Sequence, residues 1–224
     1  FNKSKANIHS IDKSFLLPCI CKSIDIKGKI FTKQDFVDLE EKNKIIYLLN
    51  AREPLDFSIK EYLNLGLKND INKKYLTANR NPWYSIENRP PAPIWVSVFN
   101  RRGLKFIRNE ANISNLTTFH CIYPIDSLFV NINMDLLFAY LLTDVSKDIL
   151  QDNQREYGGG LKKFEPNDLN KGLMMDLELI DNYTQKLIIR FYHEYRESEI
   201  NGSPKFDLIK KIENIFINLF TKDL

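Results

Sequence analysis

Cysteine and histidine are scarce in this chain, and their scarcity excludes several kinds of site. Among 224 residues there are three histidines and three cysteines, Cys19, Cys21 and Cys121. Three cysteines cannot build a closed disulfide framework, and a single Cys-x-Cys pair lacks the second pair that a structural zinc site requires. We therefore interpret the cysteines as reduced thiols of a cytoplasmic protein, and we expect no bound metal.

Long apolar runs are also absent from the sequence. No window reaches the roughly 18 uncharged apolar residues that a membrane-spanning helix needs, and the opening FNKSK does not resemble a secretory signal. We therefore expect neither secretion nor a membrane partner. Because the chain begins with Phe1 instead of methionine, we also expect it to be a fragment or a processed product.

The chain does contain enough apolar residues for a large core, together with an unevenly distributed charge. It is 43% hydrophobic, and its formal net charge is +3. Residues 73–108 hold eight basic residues and one acid, a formal charge of +7, so the remaining residues carry −4. Aromatic residues such as Trp83, Tyr84 and Trp95 lie among the basic ones. This combination is typical of a surface that binds phosphates, and a solvated charged face is the alternative interpretation.

Hydrophobic periodicity predicts an α+β fold, with an antiparallel sheet packed by helices and a helical C-terminal portion. Three β-branched or aromatic runs, 94–99, 104–107 and 117–125, predict the sheet, and its basic hairpin tip lies at 100–103. Shorter runs at 16–30 and 45–49 predict further strands. Helical patterns occur at 58–65, which we expect Gly66 to end, at 134–149, where the helix should be amphipathic, and at 174–197 and 206–219. We expect residues 1–170 to form an α/β core and residues 171–224 a helical extension of the same domain.

Two segments carry the most specific pattern in the chain. Residues 80–123 read RNPWYSIENRPPAPIWVSVFNRRGLKFIRNEANISNLTTFHCIY, and residues 155–169 read REYGGGLKKFEPNDL. In this order they resemble the C-terminal target-recognition domain of gamma-class (TaqI-like) adenine-specific N6 DNA methyltransferases of restriction–modification systems. The resemblance implies that double-stranded DNA is the partner of this chain.

The resemblance and the chemistry of these segments together predict residues that contact DNA. Arginine forks bind phosphates or guanine edges, carboxamides pair with adenine, and hydroxyls bind backbone oxygens. Glycines let the backbone approach a phosphate closely. The alternative roles for these residues are ion pairs, turn caps and a tight structural turn. The predicted contacts are Arg80, Arg89, Arg101, Arg102, Lys105, Arg108, Asn109, Asn115, Thr118, Gly158, Gly159, Lys162 and Lys163.

The catalytic half of such an enzyme is not recognisable in this sequence. Residues 81–84, NPWY, are similar to the Asn/Asp-Pro-Pro-aromatic loop that holds the target adenine, but Trp83 replaces the second proline. No glycine-rich strand-to-helix turn for S-adenosylmethionine precedes this segment. We therefore expect no catalytic residue and no cofactor in this chain. The resemblance implies that an upstream methyltransferase domain of the same polypeptide, or a separate catalytic subunit, binds S-adenosylmethionine.

Three functions are compatible with the sequence. The first is DNA recognition within a site-specific adenine-N6 methyltransferase, with fusion to a restriction nuclease as a variant. The second is a stand-alone DNA-binding specificity subunit that recruits catalytic partners. The third is an interaction domain whose basic block binds an acidic protein, in which case DNA binding would depend on salt but not on DNA sequence.

Overall fold

The computed structural model describes residues 1–87, 89–100, 104–125, 133–151, 155–157, 161–163 and 165–222. Helices and strands are mixed along the chain, which confirms the predicted α+β class. The helices are α1 (Lys3–Ile8), α2 (Lys33–Glu41), α3 (Phe57–Lys68), α4 (Tyr75–Ala78), α5 (Met134–Leu142), α6 (Asp144–Gln151), α7 (Pro166–Asn170), α8 (Asn182–Ile200) and α9 (Phe206–Lys222). The strands are β1 (Leu16–Ile20), β2 (Ile30–Phe31), β3 (Tyr47–Leu49), β4 (Ile94–Ser97), β5 (Phe99–Asn100), β6 (Phe106–Asn109), β7 (Ser114–Asn115), β8 (Phe119–Ile122), β9 (Arg155–Tyr157) and β10 (Leu161–Lys163).

These elements form two compact units, each assembled from separate segments of the chain. Unit 1 comprises Phe1–Asp25, Lys33–Pro91 and Ala111–Leu116. Unit 2 comprises Ile26–Thr32, Ala92–Glu110 and Thr117–Leu224. Unit 2 continues across residue 170. The subdivision that the sequence predicts at this position stays a prediction.

Unit 1 contains a three-stranded sheet in the order β3-β1-β7, in which β3 is antiparallel and β7 parallel to β1. Its small core includes Ile59 and Leu63 of α3 with Ala6 of α1. The i, i+4 spacing of Ile59 and Leu63 puts both side chains on one face of the helix. Helix α3 begins where the Asp56 carboxylate accepts a hydrogen bond from the Ile59 amide at 2.7 Å.

The larger sheet of unit 2 has the order β2-β6-β4-β8. β4 is antiparallel to β6 and β8, as the sequence predicts, and β2 is parallel to β6. All four residues of β4 are buried, which agrees with an apolar run that lacks a polar alternation. Trp95 lies at the centre of this strand, 5.7 Å from the ring of Phe31 and 5.5 Å from the ring of Phe119.

Helices α5, α8 and α9 form the main core of unit 2. Residues 136–142 of α5 are all buried, so this helix is apolar on every side and not amphipathic as predicted. Tyr140 of α5 packs edge to face against Phe216 of α9 at 5.1 Å, and Phe138 packs against Tyr192 of α8 at 5.9 Å. Helix α5 is short, however, and none of the helices within the described ranges is long and apolar enough to cross a lipid bilayer.

Helix boundaries differ from the predictions where side chains cap a helix end. The single helix predicted over 134–149 is interrupted at Thr143, whose hydroxyl donates to the Tyr140 carbonyl at 2.6 Å and accepts from the Ser146 amide at 3.3 Å. The helix predicted from residue 174 begins only at Asn182, because the Asp181 carboxylate accepts from amides of the first turn at 2.9 and 3.0 Å.

Helix α3 continues past Gly66 and ends at Lys68, so the prediction that Gly66 ends this helix is wrong. Gly66 lies against the indole of Trp83 instead. The glycine is therefore explained by a close side-chain approach and not by a left-handed turn.

Candidate nucleic-acid interface

The three-stranded sheet β5-β10-β9 of unit 2 joins the two segments that carry the sequence motifs. β10 is antiparallel to β5, with Lys162 opposite Asn100, and it is antiparallel to β9, with Leu161 opposite Tyr157. In this register Asn100, Tyr157 and Leu161 lie at one end of the sheet. The chain continues from Asn100 into residues 101–103, and residues 158–160 connect Tyr157 to Leu161. Both motif segments are therefore attached to the same end of one sheet.

The predicted contacts at this end are described only in part. Lys162 and Lys163 belong to β10, where Lys163 lies opposite Phe99 and Arg155. Arg101, Arg102, Gly158 and Gly159 lie outside the described residues. Their assignment as DNA contacts stays a prediction.

Lys105 lies directly before β6, and its ammonium group donates hydrogen bonds to backbone carbonyl oxygens of the same unit. The Nζ atom donates to the carbonyl oxygens of Ile26 and Lys27 at 2.9 Å each. Burial lowers the pKa of Lys105, and the nearby charge of Glu199 opposes that shift. Two of the three ammonium donors are therefore used to hold the segment before β2. We therefore propose a structural role for Lys105, and its assignment as a DNA contact stays a prediction.

Arg108 and Asn109 are adjacent on β6, so their side chains point to opposite faces of the sheet. Asn109 is 6% exposed, and its side-chain amide donates to the carbonyl of Ala92 at 2.8 Å. We therefore propose a structural role for Asn109, and its assignment as a DNA contact stays a prediction. Arg108 has 17% side-chain exposure, donates to the Pro93 carbonyl at 3.3 Å, and lies 3.9 Å from a carboxylate oxygen of Asp135.

Asp135 belongs to a set of polar contacts that sequence analysis did not find. Its other carboxylate oxygen lies 2.8 Å from Nε2 of His193 on α8. On the same helix, Arg196 makes a two-pronged contact with Glu110, with Nε donating at 2.6 Å. The hydrogen bond to Glu110 raises the pKa of Arg196. These residues are far apart in sequence and share no motif. The packing of α8 against α5 brings His193 to Asp135, and Arg196 of α8 reaches Glu110 directly after β6.

In unit 1, residues 80–85 form a compact turn. Nη1 of Arg80 donates to the carbonyl of Ser85 at 2.9 Å, and the Ser85 amide donates to the carbonyl of Pro82 at 2.9 Å. Trp83 packs against Gly66 of α3. Arg80 therefore stabilises its own turn, and both aromatic residues of the NPWY segment, Trp83 and Tyr84, pack against the small core of unit 1.

The other predicted contacts differ in their surroundings. Arg89 is exposed and pairs with Glu87 at 2.6 Å. Because an exposed ion pair contributes only about 0–1 kcal/mol, a phosphate can readily replace Glu87. Asn115 is half-buried on β7, and its side-chain amide donates to the Leu116 carbonyl at 2.9 Å. Thr118 is half-buried in the turn before β8.

An exposed pair of residues in unit 1 received no role from the sequence. Tyr75 and Leu76, at the start of α4, are 83% and 69% exposed. They follow the exposed Lys73 and Lys74, of which Lys73 pairs with Asp70 at 2.8 Å. Aromatic residues beside lysines suit the unpaired nucleotides of a nucleic acid, because such bases stack on the ring while the cations bind phosphates. The adjacent lysines and tyrosine were a readable signal that the sequence analysis did not use.

Comparison with known proteins identifies the family of this chain. The family described as Type II methyltransferase M.Eco57I, C-terminal domain, matches residues 1–203. The chain belongs to this family. Membership confirms the prediction, made from the motifs, of a C-terminal domain of a type II methyltransferase.

Two curated methyltransferases and one solved structure are similar to this M.Eco57I-type C-terminal domain. Type II methyltransferase M.AccI of Acinetobacter calcoaceticus is 52% identical over 222 residues, which cover 99% of this chain and 41% of M.AccI. Type II methyltransferase M.XamI of Xanthomonas campestris pv. amaranthicola is 29% identical over 120 residues, 54% of this chain and 22% of M.XamI. The structure of the type IIG restriction endonuclease BpuSI matches 86% of this chain and 23% of the BpuSI chain, with a TM-score of 0.51. The sequence identity is 14%, so the likeness is one of fold alone. The chain thus spans about two-fifths of M.AccI, and smaller shares of the other two proteins.

Proposed function

We propose that this domain reads the target sequence in duplex DNA for a site-specific adenine-N6 methyltransferase of a restriction–modification system. The observation that carries the proposal is the sheet β5-β10-β9, because residues 101–103 and residues 158–160 are attached to the same end of it. Two motif segments at one place in the fold are what a shared binding surface requires.

In the proposed arrangement, phosphates are bound at that end of the sheet and base edges are read beside them. Arg101 and Arg102 supply guanidinium groups that fit phosphates or guanine edges. Gly158 and Gly159 supply backbone amides without side chains in the way, and Lys162 adds positive charge on β10. Phosphate contacts give most of the affinity, whereas base contacts give the sequence preference.

Methyl transfer belongs, in this proposal, to the part of the enzyme outside this chain, in the same polypeptide or in a separate catalytic subunit of the cytoplasm. That part would bind S-adenosylmethionine, which supplies the methyl group. The described residues do not fit this cofactor, because their ranges contain no glycine-rich turn from a strand into a helix. Flipping an adenine out of the duplex is costly, and the recognition domain would hold the distorted DNA meanwhile.

Selection of duplexes from a random DNA pool by the 224-residue chain, at low and at moderate salt, tests this function. We expect sequencing of the bound fraction to show enrichment of a short motif that contains adenine. Salt-sensitive binding without enrichment would contradict sequence reading by the isolated domain. Absence of binding would favour the function of an interaction domain for an acidic protein.

A second experiment separates recognition from catalysis. The chain is incubated with duplex DNA and S-adenosylmethionine that carries a labelled methyl group. We expect no transfer of label. Label in the DNA would show that residues 81–84 have a catalytic role despite the packing of Trp83.

A further inference from the structure

Residues 173–183 of unit 2 present a group of large apolar side chains to solvent. Scattered single apolar residues on a surface are ordinary, whereas four large exposed ones within eleven residues of chain are a concentration that an interaction site would explain. The outward-facing residues and their exposed fractions are Leu173 (77%), Met174 (50%), Leu179 (84%) and Tyr183 (78%). Alternate residues of the same segment point inward, since Ile180 is 5% exposed and Met175 and Leu177 pack against the core.

The backbone of this segment is anchored to unit 2. The Met175 amide donates to the hydroxyl of Tyr140 at 3.3 Å, which ties the segment to α5. The side-chain amide of Gln185, on α8, donates to the carbonyl of Ile180 at 2.8 Å. The outward side chains are therefore held in position, and a partner would not have to order the segment in order to bind it.

The charge of the segment is negative. Asp176, Glu178 and Asp181 are exposed there, and no basic residue lies between positions 173 and 183. The hydrogen bond from the side chain of Thr184 lowers the pKa of Asp181, so this carboxyl group is ionised at neutral pH. Carboxylates repel phosphates, so this surface does not suit DNA. An apolar centre with a charged rim suits a protein whose contact surface is apolar and basic at its edge.

The lengths of the relatives point to the occupant. This chain covers 41% of M.AccI at 52% identity, so about three-fifths of M.AccI lies outside the match. We propose that residues 173–183 are the surface on which the remaining part of the same methyltransferase polypeptide docks. The proposal rests on family membership, exposure and charge, and not on DNA recognition, so it can fail or succeed independently of the proposed function.

Hydrogen–deuterium exchange measured by mass spectrometry tests the docking surface. It is applied to the 224-residue chain and to the full-length polypeptide, both without DNA. We expect amide exchange in residues 173–183 to be slower by about tenfold or more in the full-length polypeptide, because a covered segment opens less often. Equal exchange in the two proteins would overturn the proposal. Slowing that requires added DNA, or that rises with the concentration of the isolated chain, would also overturn it, in favour of DNA or of a second copy.

Variants of the full-length polypeptide make the test specific. Leu179→Asn combined with Tyr183→Asn removes two exposed apolar side chains, and both positions tolerate polar residues in the isolated unit because they face solvent. Phe57→Asn is the matched control, since Phe57 is 78% exposed in unit 1. We expect the double variant alone to restore fast exchange in residues 173–178, with unchanged thermal unfolding of the isolated chain. Persistent slow exchange in the double variant, or the same loss in the control, would contradict the assigned surface.

Discussion

A β-carbon at Gly66 would lie 2.6 Å from Cη2 of Trp83, much closer than packed carbon atoms approach each other. The absence of a side chain at this point of α3 admits the indole. Trp83 is therefore engaged in the small core of unit 1, where it packs beside residues of α3. This contact explains why a segment that is similar to a catalytic loop serves as a packing motif in this chain.

Gly66→Ala is expected to destabilise the protein by up to about 2 kcal/mol. Overpacking of the new methyl group against Trp83 costs about 1–3 kcal/mol. The gain of about 1 kcal/mol in helix propensity from glycine to alanine offsets part of this cost. Urea unfolding followed by circular dichroism measures the change. Asn64→Ala, at an exposed position of the same helix, is the control and should change stability by less than about 0.5 kcal/mol. A more stable Gly66→Ala protein would show that the indole moves aside freely.

Asn109→Ala is expected to reduce stability and to leave DNA binding unchanged. The variant removes the donor to the buried carbonyl of Ala92, and an unsatisfied buried polar group costs about 1–3 kcal/mol. Urea unfolding gives the stability, and a titration with fluorescent duplex well below the unfolding midpoint gives the affinity. Weaker DNA binding by a variant of unchanged stability would restore Asn109 as a residue that contacts DNA.

Elements with a clear hydrophobic period could be predicted from the sequence, but short strands and long-range pairs could not. β4 lies within the segment predicted as a strand, whereas β6 and α9 overlap their predicted segments and end two and three residues beyond them. β5 has two residues and β10 three, which is too little sequence for a pattern to specify a pairing. The contact between Asp135 and His193 likewise depends on how α5 and α8 pack, which no spacing in the sequence reveals.

For the candidate interface, the sequence gives the chemistry of each residue but not its accessibility. Lys105 and Asn109 have side chains suited to DNA, yet both donate to backbone carbonyls inside unit 2. Neighbouring residues of β6 belong to one sequence motif, but their side chains point to opposite faces of the sheet. A motif therefore does not show which of them is accessible. The exposure of Tyr75 could not be predicted, because α4 is too short to show a helical period that separates a buried face from an exposed one.

Tyr75→Ala is expected to weaken DNA binding, whereas Phe57→Ala is not. Both rings belong to unit 1 and are similarly exposed, at 83% and 78%. Tyr75 follows Lys73 and Lys74, whereas Phe57 follows Asp56. In single-stranded DNA a stacked base contributes about 1–3 kcal/mol, so the loss of Tyr75 should weaken binding of a single strand by about fivefold to a hundredfold. Fluorescence anisotropy with a labelled single-stranded oligonucleotide measures this, and equal affinities of the two variants would exclude α4 from contact with unpaired bases.

Tyr192→Phe is expected to make stability less sensitive to alkaline pH. The Tyr192 hydroxyl is buried without a hydrogen-bond partner among the described residues, and burial raises its pKa. The unfolded tyrosine loses its proton near pH 10, so above about pH 10 the folded state binds more protons and stability falls as pH rises.

The phenylalanine variant lacks that contribution. At about pH 8 its stability should equal that of the parent protein or exceed it by up to about 1 kcal/mol, because an unsatisfied buried hydroxyl is removed. Its loss of stability between about pH 8 and pH 10.5, measured by urea unfolding, should be smaller. Tyr183→Phe removes an exposed hydroxyl and should behave like the parent protein. An equal alkaline loss in Tyr192→Phe and the parent would contradict this account.

Arg101→Ala combined with Arg102→Ala is expected to weaken binding of duplex DNA and to reduce its dependence on salt. Each bound phosphate releases counterions, so the slope of log K against log salt concentration should fall by about one unit for each phosphate that the variant no longer binds. Lys210→Ala combined with Lys211→Ala is the control, because it removes the same charge from exposed positions of α9 outside the predicted contacts. A reduced slope in the arginine variant alone places the hairpin tip on the phosphates. An equal reduction in both variants would mean that net charge, and not the tip, governs binding, and an unchanged slope and affinity in the arginine variant would remove the tip from the interface.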